Sequence, residues 1–127
     1  PDSAFLLVTS PDQAALADAR YFRDRIAGMG LPFAGFVLNR SWVRTDGYVD
    51  PASITLNLTP HALQKLKALA EVEYARVVRD RALLSQLRAE VPPTAFAIAA
   101  PYLGEAIEDL KGLASLAQGI TELPATD

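Results

Sequence analysis

The chain has 127 residues, a formal net charge of −3 and no cysteine. That length suits one domain with a core of its own. Mild acidity without a basic block argues against nucleic acid as the main partner, and the lack of cysteine excludes disulfides, thiolate metal sites and thiol catalysis.

Half of the residues are hydrophobic, so most of the chain should be ordered, yet no run reaches the length of a membrane span. These bounds fit a cytoplasmic protein without direct membrane insertion. The chain starts at Pro1, and its sole methionine, Met29, falls inside a predicted helix, so the sequence reads as a piece of a longer protein.

The stretch from Phe5 to Arg40 reads as a βαβ unit. Phe5-Leu6-Leu7-Val8 is continuously apolar, as expected of a parallel strand covered on both faces. Ser10 is the expected N-cap of the following helix, with Pro11 at its first position. Ala15, Leu16, Ala19, Phe22, Ile26 and Met29 recur at helical spacing and predict one apolar stripe. Gly28 and Gly30 stop the helix, Leu31-Pro32 turns the chain, and Phe33 to Leu38 forms a second strand.

A polar, turn-rich segment follows, with Asp46-Gly47 and Asp50-Pro51, and predicts a flexible loop over 41–59. Thr59-Pro60 then caps a helix running to about Glu90, either unbroken or divided near Arg79-Asp80. Leu63, Leu66, Ala70, Tyr74, Val77, Leu84 and Leu87 mark its apolar side; Arg76, Arg79, Asp80, Arg81 and Arg88 mark its wet side. Val91-Pro92-Pro93 ends it, and Thr94 to Ala99 is a third apolar strand. A turn at Pro101 to Gly104 precedes a last amphipathic helix opened by Glu105, and the chain from Thr121 onward reads as a frayed tail. The order β-α-β-loop-α-β-α predicts an α/β domain over 1–127: a three-stranded parallel sheet with flanking helices and a helical insertion over 60–91.

Ligands of open parallel sheets bind beyond the carboxyl ends of the strands. Thr9 to Asp12, Asn39-Arg40-Ser41 and Ala100 to Gly104 should share that edge. The Asn39 amide offers a donor and an acceptor side by side, matching the N6/N7 edge of adenine. Pro101 and Tyr102 can wall a purine, and Arg40 can meet ribose or phosphate. Against this, an asparagine at a strand end commonly turns back on its own backbone.

No GxxxxGK[ST] run occurs, so the chain holds no P-loop, and Gly28-Met29-Gly30 closes a helix rather than opening one. His61 reads as a solvated first-turn residue without catalytic partners. Glu105, Glu108 and Asp109 suit a helix N-terminus without invoking a metal. Arg20, Arg23 and Arg25 with Asp18 and Asp24 read as a solvated face with local ion pairs of small worth. Trp42 and Tyr48, in the polar segment, either mark a contact surface or fold back on the domain.

Two stretches resemble the C-terminal half of ATPases of the arsenite-pump (ArsA) type, a family with relatives that deliver tail-anchored membrane proteins. The first is FLLVTSPDQAALADARYFRDRIAGMGLPFAGFVLNR, with a V-T-x-P strand end, an A-x-x-F helix, a G-L-P turn and a V-x-N-R strand end. The second is APYLGEAIEDLKGLASL, with a Pro-x-Leu turn before a Leu-rich helix. The middle, Trp42 to Val91, matches only loosely.

The resemblance implies a part of a larger P-loop NTPase-like sheet, from a parent that binds ATP or ADP with Mg and hydrolyses ATP as a dimer or pseudo-dimer. It implies that Asn39 and Pro101 contact adenine, with Tyr102 and Leu103 beside them, no catalytic residue in this chain, and an N-terminal catalytic half as its partner. The CxxC pair that bridges some family dimers through zinc has no counterpart here. The alternative expectation is a non-catalytic interaction module that uses the Trp42–Tyr48 loop and the long helix.

Overall fold

In the computed structural model, which describes residues 3–43, 50–104 and 107–122, strand β1 (Phe5–Thr9) leads into helix α1 (Gln13–Gly28). The cap expected at Ser10 lies two residues later. Asp12 is the N-cap, and its carboxylate accepts the Ala15 N–H at 2.9 Å. Ser10 instead donates its hydroxyl to Asp12 at 2.6 Å, and Pro11 precedes the helix rather than opening it. A carboxylate meets the positive helix terminus better than a hydroxyl does, and the Ala15 N–H, then the Ser10 hydroxyl, hold the Asp12 carboxyl below its ordinary range.

Leu16, Ala19 and Ile26 of the α1 stripe are buried, whereas Phe22 and Met29 are exposed. Gly30 takes a left-handed φ of 68°, and the Leu31 N–H returns to the Ile26 carbonyl at 3.1 Å. This is a Schellman-type stop that favours glycine.

Strand β2 (Phe33–Ser41) lies between β1 and β3 (Phe96–Pro101) and runs parallel to both. The third strand therefore starts and ends two residues later than Thr94 to Ala99. Two right-handed crossovers in one direction put α1 and α2 (Pro60–Ala89) on the same face of the sheet. Leu16 and Ala19 of α1 meet Leu83, Leu84 and Leu87 of α2 over Phe36, Leu38, Ala97 and Ala99. The opposite row, Val8, Val37 and Ile98 in register, lies on the other face. There Val8 is 61% exposed, and Val37 and Ile98 are half-buried. A parallel sheet is normally covered on both faces.

Helix α2 is unbroken over 30 residues, with Pro60 in its first turn and the Thr59 hydroxyl accepting the Ala62 N–H at 3.3 Å. Its buried residues all come from Val77 onward, so only its C-terminal half sits on the sheet. Asp80, expected on the wet side, is completely buried. Of the predicted 41–59 loop, Ser41 ends β2, Val43 is in the core and Pro51–Ser53 forms a 3-10 turn packed on α2. Asp46-Gly47 and Tyr48 fall outside the described residues.

Helix α3 (Leu110–Gly119) starts later than expected, capped by Asp109, which accepts the Gly112 N–H at 2.7 Å. Glu105 falls outside the described residues. None of α3 is buried, and Leu110 and Leu113 face solvent. Thr121–Glu122, expected to fray, form β4 and pair antiparallel with Ile98 and Ala99. The three expected parallel strands are present, and β4 extends them into a four-stranded mixed sheet in the order β1-β2-β3-β4. Among the described residues, no helix is long and apolar enough to cross a membrane.

Candidate functional site

The register aligns Thr9, Leu38 and Ala99 across the sheet, so the three parallel strands reach the carboxyl edge together. Beyond that line β2 does not run straight. Leu38 pairs with Ala99 and Ser41 with Pro101, which leaves Asn39 and Arg40 opposite Ala100 alone. This is a β-bulge, and Arg40 adopts a φ of 56° within it. A left-handed non-glycine residue is strained, and bulges re-aim side chains at sheet rims. Both bulge residues are exposed.

Asn39 points its oxygen back to the main chain, accepting the Arg40 N–H at 3.0 Å. That is the local turn weighed against base recognition. It uses one lone pair of the amide oxygen and leaves the second lone pair and the amide NH₂ available. Asn39 lines a cleft of about 430 Å³ with Val8, Thr9, Ser10, Asp18 and Phe22. Thr9 and Ser10, from the expected 9–12 segment, therefore share this cleft with Asn39.

Arg40 turns the other way. Its guanidinium lies 5.4 Å from the centre of the Tyr102 ring. Tyr102 packs on Trp42, centroid to centroid 5.3 Å, and the Arg76 guanidinium lies 4.9 Å above Trp42. The result is a column of Arg40, Tyr102, Trp42 and Arg76 in which each cation faces an aromatic ring. Trp42 is half-buried and ties back onto the domain instead of standing free.

The Tyr102 N–H donates to the Ser41 carbonyl at 2.7 Å and joins the two strand ends. Pro101 is the last residue of β3, with Gly119 of α3 against it, where a Cβ would collide with the proline ring. Leu103 lies apart from Asn39, lining a depression of about 500 Å³ with Ile107 to Asp109 and the start of α3.

The expected residues thus divide: Arg40 and Tyr102 meet, Asn39 opens onto the cleft beside β1, and Leu103 faces α3. Sequence reasoning missed Arg76 and Asp80. The helical pattern puts both on the solvated face of α2, and their spacing of four, one helical turn, is the signal that they share a side.

His61 is exposed in the first turn of α2. Arg20 and Arg23, expected to be solvated, both reach Glu90 at the end of α2, at 2.7 and 3.1 Å. The hydrogen bond from Arg20, then its charge and that of Arg23, hold the Glu90 carboxyl below its ordinary range despite partial burial. No protein-family model matches the chain, and no curated protein matches it in sequence.

Proposed function

We propose that this chain is the adenine-side part of an ArsA-like ATPase whose P-loop and hydrolytic residues lie on the upstream half of the parent polypeptide. The observation that supports this most is the bulge at Asn39-Arg40, a strained and exposed pair at the carboxyl edge of a parallel sheet beside Tyr102. Strain of that kind gathers at functional sites.

On this reading the free NH₂ and remaining lone pair of Asn39 meet the N6/N7 edge of the base. Arg40 and Tyr102 form a flat wall on the other side of the bulge, next to Pro101, while Leu103 faces α3 and takes no part. Mg and the phosphates belong to the other half, and ATP hydrolysis is not expected of this chain alone. The exposed side of β1 and the row headed by Val8 suit a sheet that continues into that half.

One observation favours the second reading, an interaction module: Leu69 and Val72 are more than half exposed on the part of α2 outside the core. The tied-back Trp42 counts against using it as a free contact.

Calorimetric titration of ADP and ATP into this chain, and into a longer polypeptide that restores the upstream half, separates the two. Binding in the longer form should weaken about tenfold on Asn39→Ala, the effect of one lost hydrogen bond of ~1.4 kcal/mol. A folded longer form that binds neither nucleotide overturns the ATPase reading.

A further inference from the structure

Asp80 sits on α2 with no solvent exposure, where the helix otherwise presents Val77, Leu83, Leu84 and Leu87. A buried carboxylate is costly unless it is fully engaged. Here one oxygen accepts the Trp42 N–H at 2.8 Å and the Ser41 hydroxyl at a longer 3.4 Å. The other meets Arg79 at 2.7 Å. The Ser41 hydroxyl oxygen in turn accepts the Val43 N–H at 3.1 Å, and the Ser41 carbonyl takes the Tyr102 N–H. One turn earlier on the helix, Arg76 covers the Trp42 ring. The residues that α2 grips are therefore those that immediately follow the Asn39-Arg40 bulge.

We propose that Asp80 is a positioning residue for this edge. By fixing the path of 41–43 it stacks Trp42 on Tyr102 and presents Arg40 from the bulge, so that the long helix sets the shape of the ligand wall. The inference rests on reading the carboxyl edge as a ligand site, but its test needs no ligand.

Trp42 is the only tryptophan, so near-ultraviolet circular dichroism reports the stack directly. Asp80→Leu keeps the side-chain size and removes both acceptor oxygens, whereas the one amide oxygen of an asparagine can still accept the Trp42 N–H and the Ser41 hydroxyl. The expected result is a retained far-ultraviolet spectrum with loss of the tryptophan band, down to the level of Trp42→Phe. A folded Asp80→Leu protein with the wild-type band overturns the proposal and leaves Asp80 a packing residue.

If Asp80→Leu does not fold, hydrogen exchange of the wild-type chain decides. The Trp42 amide should be as protected as that of Leu84, and exchange at the rate of an unstructured peptide overturns the proposal. Loss of the band together with no nucleotide binding by the wild-type longer form would remove the ATPase reading while leaving the role of Asp80 standing.

Discussion

At the scale of single residues, the sheet depends on places where only a small or unusual backbone fits. Gly35 has a φ of 151°, and a Cβ there would overlap the Phe96 carbonyl oxygen on the neighbouring strand. The obstacle is backbone in a central ladder, so it cannot move aside as a flexible side chain would. Gly35→Ala is expected to destabilise the domain by about 2–3 kcal/mol, combining overpacking with an unfavourable φ. Urea unfolding of the two proteins measures this directly. Arg40 is the converse case: a side-chain-bearing residue holds the left-handed conformation, and its guanidinium gains a face of Tyr102 by doing so.

At the scale of elements, α1 and α2 are joined outside the core through Glu90. Arg20 donates to both of its carboxylate oxygens, and Arg23 adds a third arm. Glu90 and Arg20 each retain just under a third of their exposure, so solvent screening reduces the value of the pair. Glu90→Gln should cost about 1–2 kcal/mol, the value of hydrogen bonds to charged groups reduced by that screening.

The pH dependence has a definite sign. The folded-state carboxyl titrates below its ordinary value of ~4.3, so its contribution is complete above that value and is lost as the pH falls through the lowered one. Denaturation curves from neutral pH into the acid range should show wild type and Glu90→Gln converging at the acid end. A constant gap would place the stabilisation in packing rather than in charge.

At the scale of the whole molecule, the helices give the sheet one well-covered face and leave much of the other open. Phe5, Leu6 and Val8 of β1 are 46, 44 and 61% exposed, in a strand with no charge or proline along it. Such an edge invites pairing with another chain. The chain on its own should therefore self-associate as concentration rises, and Val8→Lys should suppress this while changing stability by no more than about 0.5 kcal/mol. Sedimentation velocity over a concentration series tests it; monomers of both proteins throughout would mean that the open face is tolerated by itself.

The sequence alone determined the parts governed by local chemistry. Continuous apolar runs marked the strands of the βαβ unit, Thr59-Pro60 marked the start of α2, and the chain order placed Thr9 to Asp12, Asn39 to Ser41 and Ala100 to Gly104 at one edge. Those features follow from propensity, capping and the handedness of crossovers, all of which act over a few residues or through connectivity.

Only the tertiary structure decided the rest. Asp12 rather than Ser10 caps α1 because the serine hydroxyl has the carboxylate as a partner, and Thr121–Glu122 become a strand because β3 offers a free edge. Asp80 is buried because the end of β2, 38 and 39 residues away in sequence, brings the Trp42 N–H and the Ser41 hydroxyl to its carboxylate. A charged residue reads as exposed in any helical pattern, and what reverses that reading is a partner supplied from elsewhere in the fold.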